Sequence, residues 1–410
     1  MKQKRLFSDI IIYTLFGAIE KVLPFFILPF LTRLFTIDEV GYYTLYQTVI
    51  VLLVPIITCE VGTTISVNFF HYDKEKFAVS MFNGCLACLG IFAFILLLFA
   101  ACGSIVSDFI SFPKSQLLIA ICTIPFIFMN ENLQVLYRNQ NKPIAFGVFS
   151  SLRSLACYGI GLFMIIVLNY RWEAFVVGNL LGNVLFSLWA LYYLVRNKFI
   201  KPNKDTDLFR ENIRVGFPVS LHIIGSWLST TVNQLLVNIC IGIAATGMYG
   251  VGATFGMIMS FVQTSLNKAY TPILYKNIQK SEYKANKNMM KILYVLVIVS
   301  FVVITAGGYL GVGLLFGDDY LNTRQFIMPL VLVSALQGLY KIHAAFLFYY
   351  KKTMDITKIT LSLGVLNVPL AYIMLKYLGI PGAAYSSVLI WLASYILVYF
   401  ASTKVYDYKK

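Results

Sequence analysis

The sequence is poor in charged residues and especially in acidic ones. Only 12% of its 410 residues are charged, with 18 acidic residues, 33 basic residues and three histidines. In an average soluble domain about a quarter of the residues are charged. Because 59% of the residues are hydrophobic, this composition excludes an ordinary soluble domain and indicates a membrane protein.

Motifs for nucleotide binding and covalent catalysis are also missing. The sequence contains no G-x-x-x-x-G-K-[ST] loop, no H-E-x-x-H, no G-x-S-x-G and no kinase signature. We therefore expect that the protein is not an enzyme and has no cofactor. Any energy that it uses would come from an ion gradient or from the supply of its substrate.

The cysteines do not form a disulfide pattern. All seven lie within long apolar runs, where a disulfide framework is not expected. The Cys85-x-x-Cys88 pair has the spacing of a redox or metal motif, but no His and no second pair stands beside it. We interpret these two residues as small packing residues of a helix.

Twelve long apolar runs organise the chain. A run of about 20 residues at 1.5 Å per residue crosses a hydrocarbon core of about 30 Å as a helix. The sequence thus predicts an all-α polytopic membrane protein with about 12 transmembrane helices. The runs begin near Ile10, Gly41, Val79, Leu117, Ile144, Phe175, Gly216, Gly247, Met290, Phe326, Ile356 and Ile380.

The basic residues occupy every second gap between these runs. The two termini and the even-numbered gaps hold 24 of the 33 Lys and Arg residues, whereas the other gaps hold five. Short basic loops stay in the cytoplasm, so both termini are predicted to be cytoplasmic. The net charge of +15 is then explained by topology and by attraction to lipid headgroups, and we expect no nucleic-acid partner.

The chain is predicted to form two six-helix bundles, residues 1–195 and 215–410. They are joined by a polar cytoplasmic linker, residues 196–214, with the sequence RNKFIKPNKDTDLFRENIR. A shift of 206 residues aligns Gly41 and Tyr43 with Gly247 and Tyr249. This weak internal repeat is compatible with a duplicated transporter architecture in which the substrate path runs between the halves.

Three cations lie near the middle of predicted spans, where a charge costs about 3 kcal/mol or more. They are Lys21, Arg153 and Lys341, each about 14 to 16 Å from a cytoplasmic helix end. We expect them to line a cationic cavity for a diphosphate, with Arg153 providing a bidentate fork. The alternative is that they pair with acids inside the membrane, or that Lys341 snorkels. Lys268 lies near a cytoplasmic helix end and is expected to snorkel.

A second set of ionisable residues within the spans consists of acids and histidines. Glu20, Glu60 and Glu131 are candidates for ion coupling, because a buried carboxylate binds a proton or Na⁺. Salt bridges to the cations above are the competing interpretation. His222 and His343 could titrate near neutral pH, but hydrogen-bonded core histidines are the commoner case.

Three segments of the chain read, in order, LPFFILPFLTRLFTIDEVGYYTLYQTVIVLLVPIITCEVG, GFPVSLHIIGSWLSTTVNQLLVNICIGIAATGMYGVGA and YLGIPGAAYSSVLIW. These segments resemble the polysaccharide flippases of the Wzx (O-antigen translocase) type in the MATE-related superfamily. Where many relatives have Asp in span seven, this chain has Thr231-Val232-Asn233-Gln234, so a role for that acid does not carry over.

The resemblance implies a MATE-like fold in the bacterial cytoplasmic (inner) membrane. It also implies movement of an undecaprenyl-diphosphate-linked oligosaccharide, an O-antigen or capsule repeat unit, to the outer leaflet by alternating access. Expected partners are this glycan carrier, membrane lipids, H⁺ or Na⁺, and polysaccharide polymerase machinery.

Three alternatives to the flippase remain. A drug/cation antiporter of the same fold would favour an acidic cavity. A polytopic polysaccharide polymerase would be expected to have a large outside loop or domain, whereas the outside gaps here are short. A major-facilitator sugar transporter would carry a Gly-rich basic signature after span two, where this chain reads HYDKEKF.

Overall fold

The computed structural model describes residue 16, residues 23–350 and residues 352–406. Within these residues the regular structure is helical and contains no strand, which confirms the all-α fold class. The α-helices are α1 (Leu23–Leu34), α2 (Ile37–Thr58), α3 (Val61–His71), α4 (Lys74–Phe109), α5 (Lys114–Asn139), α6 (Pro143–Leu168), α7 (Glu173–Arg196), α8 (Thr206–Thr230), α9 (Val232–Cys240), α10 (Ile243–Gln279), α11 (Tyr283–Phe316), α12 (Arg324–Tyr349), α13 (Thr353–Leu378) and α14 (Ile380–Thr403). A 3₁₀ helix, Asp318–Thr323, precedes α12.

The described helices account for predicted spans two to twelve. Ten single helices are long and apolar enough to cross a membrane, and α8 and α9 together form one more candidate span with a bend of 46°. The first predicted span falls largely outside the described residues, which include residue 16 and the short apolar helix α1 near its end.

The outer helices keep large apolar side chains exposed, as expected for contact with lipid. On α4, Leu97 is 71% exposed, and on α11 Leu314 is 78% exposed. By contrast, α12 is mostly buried, and residues such as Phe346 and Leu347 have no exposed surface. These helices are apolar in sequence, so the sequence alone does not indicate which of them are buried. Their packing determines it.

The chain divides into two compact units. Of the described residues, the first unit contains residues 16, 23, 24 and 42–224, and the second contains residues 25–41, 225–350 and 352–406. These units differ from the predicted bundles at two points. Residues 25–41 belong to the second unit, and the division falls inside α8 instead of within residues 196–214.

Residues 196–214 are bound to the first unit along their length. The Lys201 amide donates to the Ala78 carbonyl at 3.1 Å, and Asn83 Nδ2 donates to the Asn203 carbonyl at 2.9 Å. The Tyr72 hydroxyl donates to the Glu211 carboxylate at 2.6 Å. This hydrogen bond, together with burial, raises the pKa of Tyr72 to about 12. From Thr206 onward the segment is already part of α8.

Two predicted spans are interrupted near their middle. In the first unit, α2 ends at Thr58 and α3 starts at Val61, with Cys59 and Glu60 in the left-handed region at φ 47° and 50°. A Cβ on Gly216 would lie 2.1 Å from the Cys59 carbonyl oxygen. The backbone of α8 therefore packs directly on this interruption. In the second unit, α8 and α9 meet at Thr231.

Candidate functional site

Arg153 lies in α6, ten residues after the first residue of that helix, which is about 15 Å along the axis. Its side chain is half-buried. Arg153 Nη1 donates to Asn183 Oδ1 on α7 at 3.3 Å. Asn130 Nδ2 on α5 donates to the same oxygen at 3.2 Å. Three helices of the first unit thus meet around one amide oxygen.

The same amide continues the network along α7. Asn183 Nδ2 donates to Asn179 Oδ1 at 2.7 Å and to the Asn179 carbonyl at 2.8 Å. It also lies 3.6 Å from Cys157 Sγ of α6. Asn130 is fully buried and Asn183 is 3% exposed. We call Asn130, Arg153, Asn179 and Asn183 the α5–α7 amide cluster.

Close backbone packing of α6 on α7 holds this cluster together. A Cβ on Gly178 would lie 2.7 Å from the Cys157 carbonyl oxygen and 2.7 Å from the Gly161 nitrogen, and a Cβ on Gly182 would lie 2.6 Å from Cys157 Sγ. Only glycine permits such an approach. Small residues at these positions are typical of helix contacts in membranes.

Lys341 is half-buried in α12 of the second unit. Its carbonyl accepts a hydrogen bond from the Tyr270 hydroxyl of α10 at 3.0 Å. Tyr270 also lines a narrow cleft whose polar wall is made by Gln263 and Asn267. Lys268, the next residue after Asn267, is exposed. Lys21, the third predicted cation, lies outside the described residues.

The predicted acids have different surroundings. Glu60 is half-buried and is the N-cap residue of α3, where its side chain makes no capping hydrogen bond. Glu131 is exposed on α5, between the buried amides Asn130 and Asn132. Glu20 lies outside the described residues. The ion-coupling role of these acids stays a prediction.

The two histidines also differ from each other. His343 has no exposed surface, and its Nε2 lies 2.7 Å from the Tyr294 hydroxyl. The ring packs on Tyr399 with a centroid distance of 5.0 Å. These contacts are those of a hydrogen-bonded core histidine. His222 is half-buried in α8.

A neutral network fills the interruption of span seven. Asn233 Nδ2 donates to the Ala383 carbonyl and to the hydroxyls of Ser386 and Ser387 at 3.0 and 2.9 Å. Asn233 Oδ1 accepts from Asn367 Nδ2 at 2.9 Å. Asn233, Asn367, Ser386 and Ser387 have no exposed surface. This chain therefore has a packed amide–hydroxyl network at the turn between α8 and α9.

Sequence reasoning selected Arg153 but missed the asparagines around it. Arg153 is recognisable in the sequence because it is a charged residue within an apolar run. The asparagines are neutral, so they do not stand out in the same way. Asn179 and Asn183 are four residues apart and share one face of α7, which is the pattern that could have identified them. Asn130 precedes the predicted Glu131 directly, yet only the structure places it against α7.

The polysaccharide biosynthesis protein family matches residues 6–278, which is more than half of the chain. Protein 1 of the Lsg locus of Haemophilus influenzae is 22% identical over 418 aligned residues, covering 98% of this chain and 99% of that protein. Two solved structures have the same fold. The lipid II flippase MurJ, in an inward closed conformation, gives a TM-score of 0.73 at 16% identity and covers 95% of this chain and 87% of its own. An inward-facing MATE multidrug transporter of the MOP superfamily gives 0.71 at 14% identity, covering 97% and 95%.

These similarities extend over nearly the whole chain and agree with the helical fold described above. They confirm the resemblance identified from the three sequence segments and the predicted MATE-like architecture. The chain belongs to the polysaccharide biosynthesis protein family and has the fold shared by MurJ and the MATE transporters.

Proposed function

We propose that this protein is a flippase. It moves an undecaprenyl-diphosphate-linked oligosaccharide, an O-antigen or capsule repeat unit, across the bacterial cytoplasmic membrane by alternating access. In this proposal the protein binds and releases its substrate and breaks no bond. Its partners are the lipid-linked glycan, membrane lipids and the polysaccharide polymerase machinery that uses the product.

The observation that carries the proposal is the placement of Arg153 in the α5–α7 amide cluster. A guanidinium about 15 Å along a transmembrane helix is energetically costly, which makes Arg153 a candidate functional residue. Asn183 Oδ1 accepts a hydrogen bond from it, and Asn130 donates to the same oxygen. A fixed guanidinium fork is well suited to a diphosphate, which offers several charged oxygens.

Lys341 and Lys21 provide further positive charge in this proposal. Lys341 is half-buried in α12, eight residues before the last residue of that helix, and a Lys ammonium acts as a point charge without the directional fork of Arg. Glu60, Glu20 and Glu131 are the proposed sites for coupling to H⁺ or Na⁺. The family match supports a role in polysaccharide biosynthesis, which is the setting in which such a carrier lipid is used.

A drug/cation antiporter is the second candidate. The similarity in fold to a MATE multidrug transporter and the half-buried carboxylate of Glu60 at an interrupted span favour it. An antiporter would need the acids more than the cations. The two candidates therefore make opposite predictions for substitutions of Arg153 and Lys341.

The proposal is tested by measuring the amount of surface polysaccharide in a strain that lacks the gene and carries plasmid-borne variants. Arg153→Ala and Lys341→Ala should each abolish surface polysaccharide at normal protein abundance. Arg153→Lys, the matched control, should retain part of the activity because it keeps the charge and loses the fork. Full polysaccharide display by the double Ala variant would contradict the proposal, and lost drug resistance in the same cells would favour the antiporter.

A further inference from the structure

The lipid-facing surface of α11 has about the length of a hydrocarbon core. Its large exposed apolar side chains begin with Ile292, which is 61% exposed, and end with Leu314. The axial rise between these two residues is about 33 Å, close to the hydrocarbon thickness of about 30 Å. The Leu314 carbonyl accepts a hydrogen bond from Arg33 Nη2 at 3.0 Å, so a charged side chain marks that end of the apolar surface. Ile292 marks the other end.

Two lysines continue this lipid-facing surface beyond Ile292. Lys287 and Lys291 are exposed and precede the exposed Val295 by eight and four residues. With 3.6 residues per turn, this spacing places the three side chains on one face of the helix. Along the axis the two lysines lie about 8 and 2 Å before Ile292. The headgroup layer on each side of a bilayer is about 5 to 8 Å thick, so both lysines lie at its depth.

Tyrosines of α10, α11, α12 and the segment after α14 lie at the same end of the second unit. Tyr283 of α11 packs on Tyr406 with a centroid distance of 5.6 Å, and Tyr275 of α10 packs on Tyr349 of α12 at 5.3 Å. Tyrosine is enriched at the interfaces between membrane and water. These rings are a second indication, independent of the apolar surface, that the membrane boundary lies near residues 287–291.

Lys287 and Lys291 have no charged partner within the part of the chain that the structure describes. Their helix contains no acidic residue, and among the described residues neither lysine makes a hydrogen bond or an ion pair. The lysines at the start of α4 differ, because Lys74 and Lys76 lie over aromatic rings at 5.2 and 4.0 Å. The first large exposed apolar residue of α4, Leu89, follows Lys76 by 13 residues. Basic residues at a helix start therefore do not border the lipid-facing surface in general.

We propose that Lys287 and Lys291 form a binding site for the headgroups of anionic phospholipids, which hold the beginning of α11 at the membrane surface. Such a lipid places its phosphate at the depth of the lysines while its acyl chains cover the apolar surface that begins at Ile292. A zwitterionic phospholipid has no net charge for the lysines to attract. The site lies outside the proposed substrate site and does not depend on which substrate the protein moves.

The experiment measures thermal unfolding of the purified full-length protein in neutral detergent with added phosphatidylglycerol or phosphatidylcholine. Phosphatidylglycerol should stabilise the wild-type protein more, and high salt should reduce the difference because it screens surface charges. A Lys at an anionic membrane surface strengthens binding about fivefold. Each single variant, Lys287→Gln or Lys291→Gln, should therefore weaken the phosphatidylglycerol affinity about fivefold, and the double variant about 25-fold.

Two matched variants separate a lipid site from a general charge effect. Lys287→Arg with Lys291→Arg keeps both charges and should stay within about twofold of the wild-type affinity. Lys74→Gln with Lys76→Gln removes two lysines from the start of α4 and should also stay within about twofold. An equal loss in the α4 variant would indicate an effect of net charge and overturn the proposal.

The lipids themselves provide two further outcomes. Equal stabilisation of the wild-type protein by phosphatidylglycerol and phosphatidylcholine would overturn the proposal. Soluble glycerol 3-phosphate, which has a phosphate and no acyl chains, should give no comparable stabilisation. If it stabilises the protein as well as phosphatidylglycerol does, the lysines bind a free anion, and the proposed phospholipid site is wrong.

Discussion

Glu60 has a backbone conformation that glutamate rarely adopts. It lies at φ 50° and ψ 29°, directly after Cys59 at φ 47°. A non-glycine residue in this region costs about 1 to 2 kcal/mol. Such conformations persist only where the surrounding structure enforces them, and they occur often at functional sites. The close approach of the Gly216 backbone is the enforcing contact here.

If an ion passes at Glu60, Glu60→Gln should lower transport about tenfold at normal protein abundance. The amide has nearly the same shape as the carboxylate, but it neither binds a proton nor carries a negative charge for Na⁺. Glu75→Gln is the control, because Glu75 is an exposed acid outside the interruption. Transport and abundance are measured in the same cells. Lower abundance with normal transport per molecule would identify Glu60 as a structural residue.

Sequence reasoning succeeds for charged residues and fails for their neutral neighbours. Arg153 and Glu60 stand out because a charge in an apolar run is rare. Asn183 and Asn233 do not stand out, although each binds several partners. Their importance comes from contacts between residues far apart in sequence, and a single sequence does not contain those distances.

At the scale of helices, the packing of α6 on α7 is the contact that positions the amide cluster. It depends on Gly178 and Gly182, whose missing side chains let the two backbones touch. Gly159 lies on α6, and within the described part of the chain no packing atom comes within 4 Å of the position of a Cβ there. The two kinds of glycine give a matched comparison within one helix pair.

Gly182→Ala should lower the free energy of unfolding by about 1 to 3 kcal/mol, which is typical of overpacking in a tight core. Gly159→Ala should be neutral or slightly stabilising, because Ala is the better helix former. Thermal unfolding in detergent compares the two variants with the wild type. Equal stability of both Ala variants would show that the α6–α7 contact does not need glycine at position 182.

The helices were easier to predict than their interruptions. Apolar length identified spans two to twelve, since crossing a hydrocarbon core requires it. The interruption at Cys59 and Glu60 has no Gly or Pro at those two positions, and it follows from contact with Gly216, which is distant in sequence. The same limit applies to residues 25–41, which join the second unit through contacts that no local pattern reveals.

At the scale of the whole molecule, the distribution of basic residues predicts the topology. A cysteine replacing Lys204, an exposed residue of the segment 196–214, should react with a membrane-impermeant thiol reagent only after the cells are opened, because six basic residues oppose translocation of this segment. A cysteine replacing Ser115, in an opposite gap, should react in intact cells. The exposed native Cys102 and Cys240 are first replaced by Ser. Labelling of position 204 in intact cells would contradict the predicted topology and indicate the opposite orientation.

The central claim is that this protein transfers a lipid-linked oligosaccharide between leaflets without altering it. The most direct measurement is the leaflet distribution of undecaprenyl-diphosphate-linked oligosaccharide in spheroplasts with and without the protein. Without the protein, the intact lipid-linked repeat unit should accumulate in the cytoplasmic leaflet, and restoring the protein should move it to the outer leaflet. An unchanged distribution between leaflets, or an oligosaccharide whose length depends on the protein, would contradict the account.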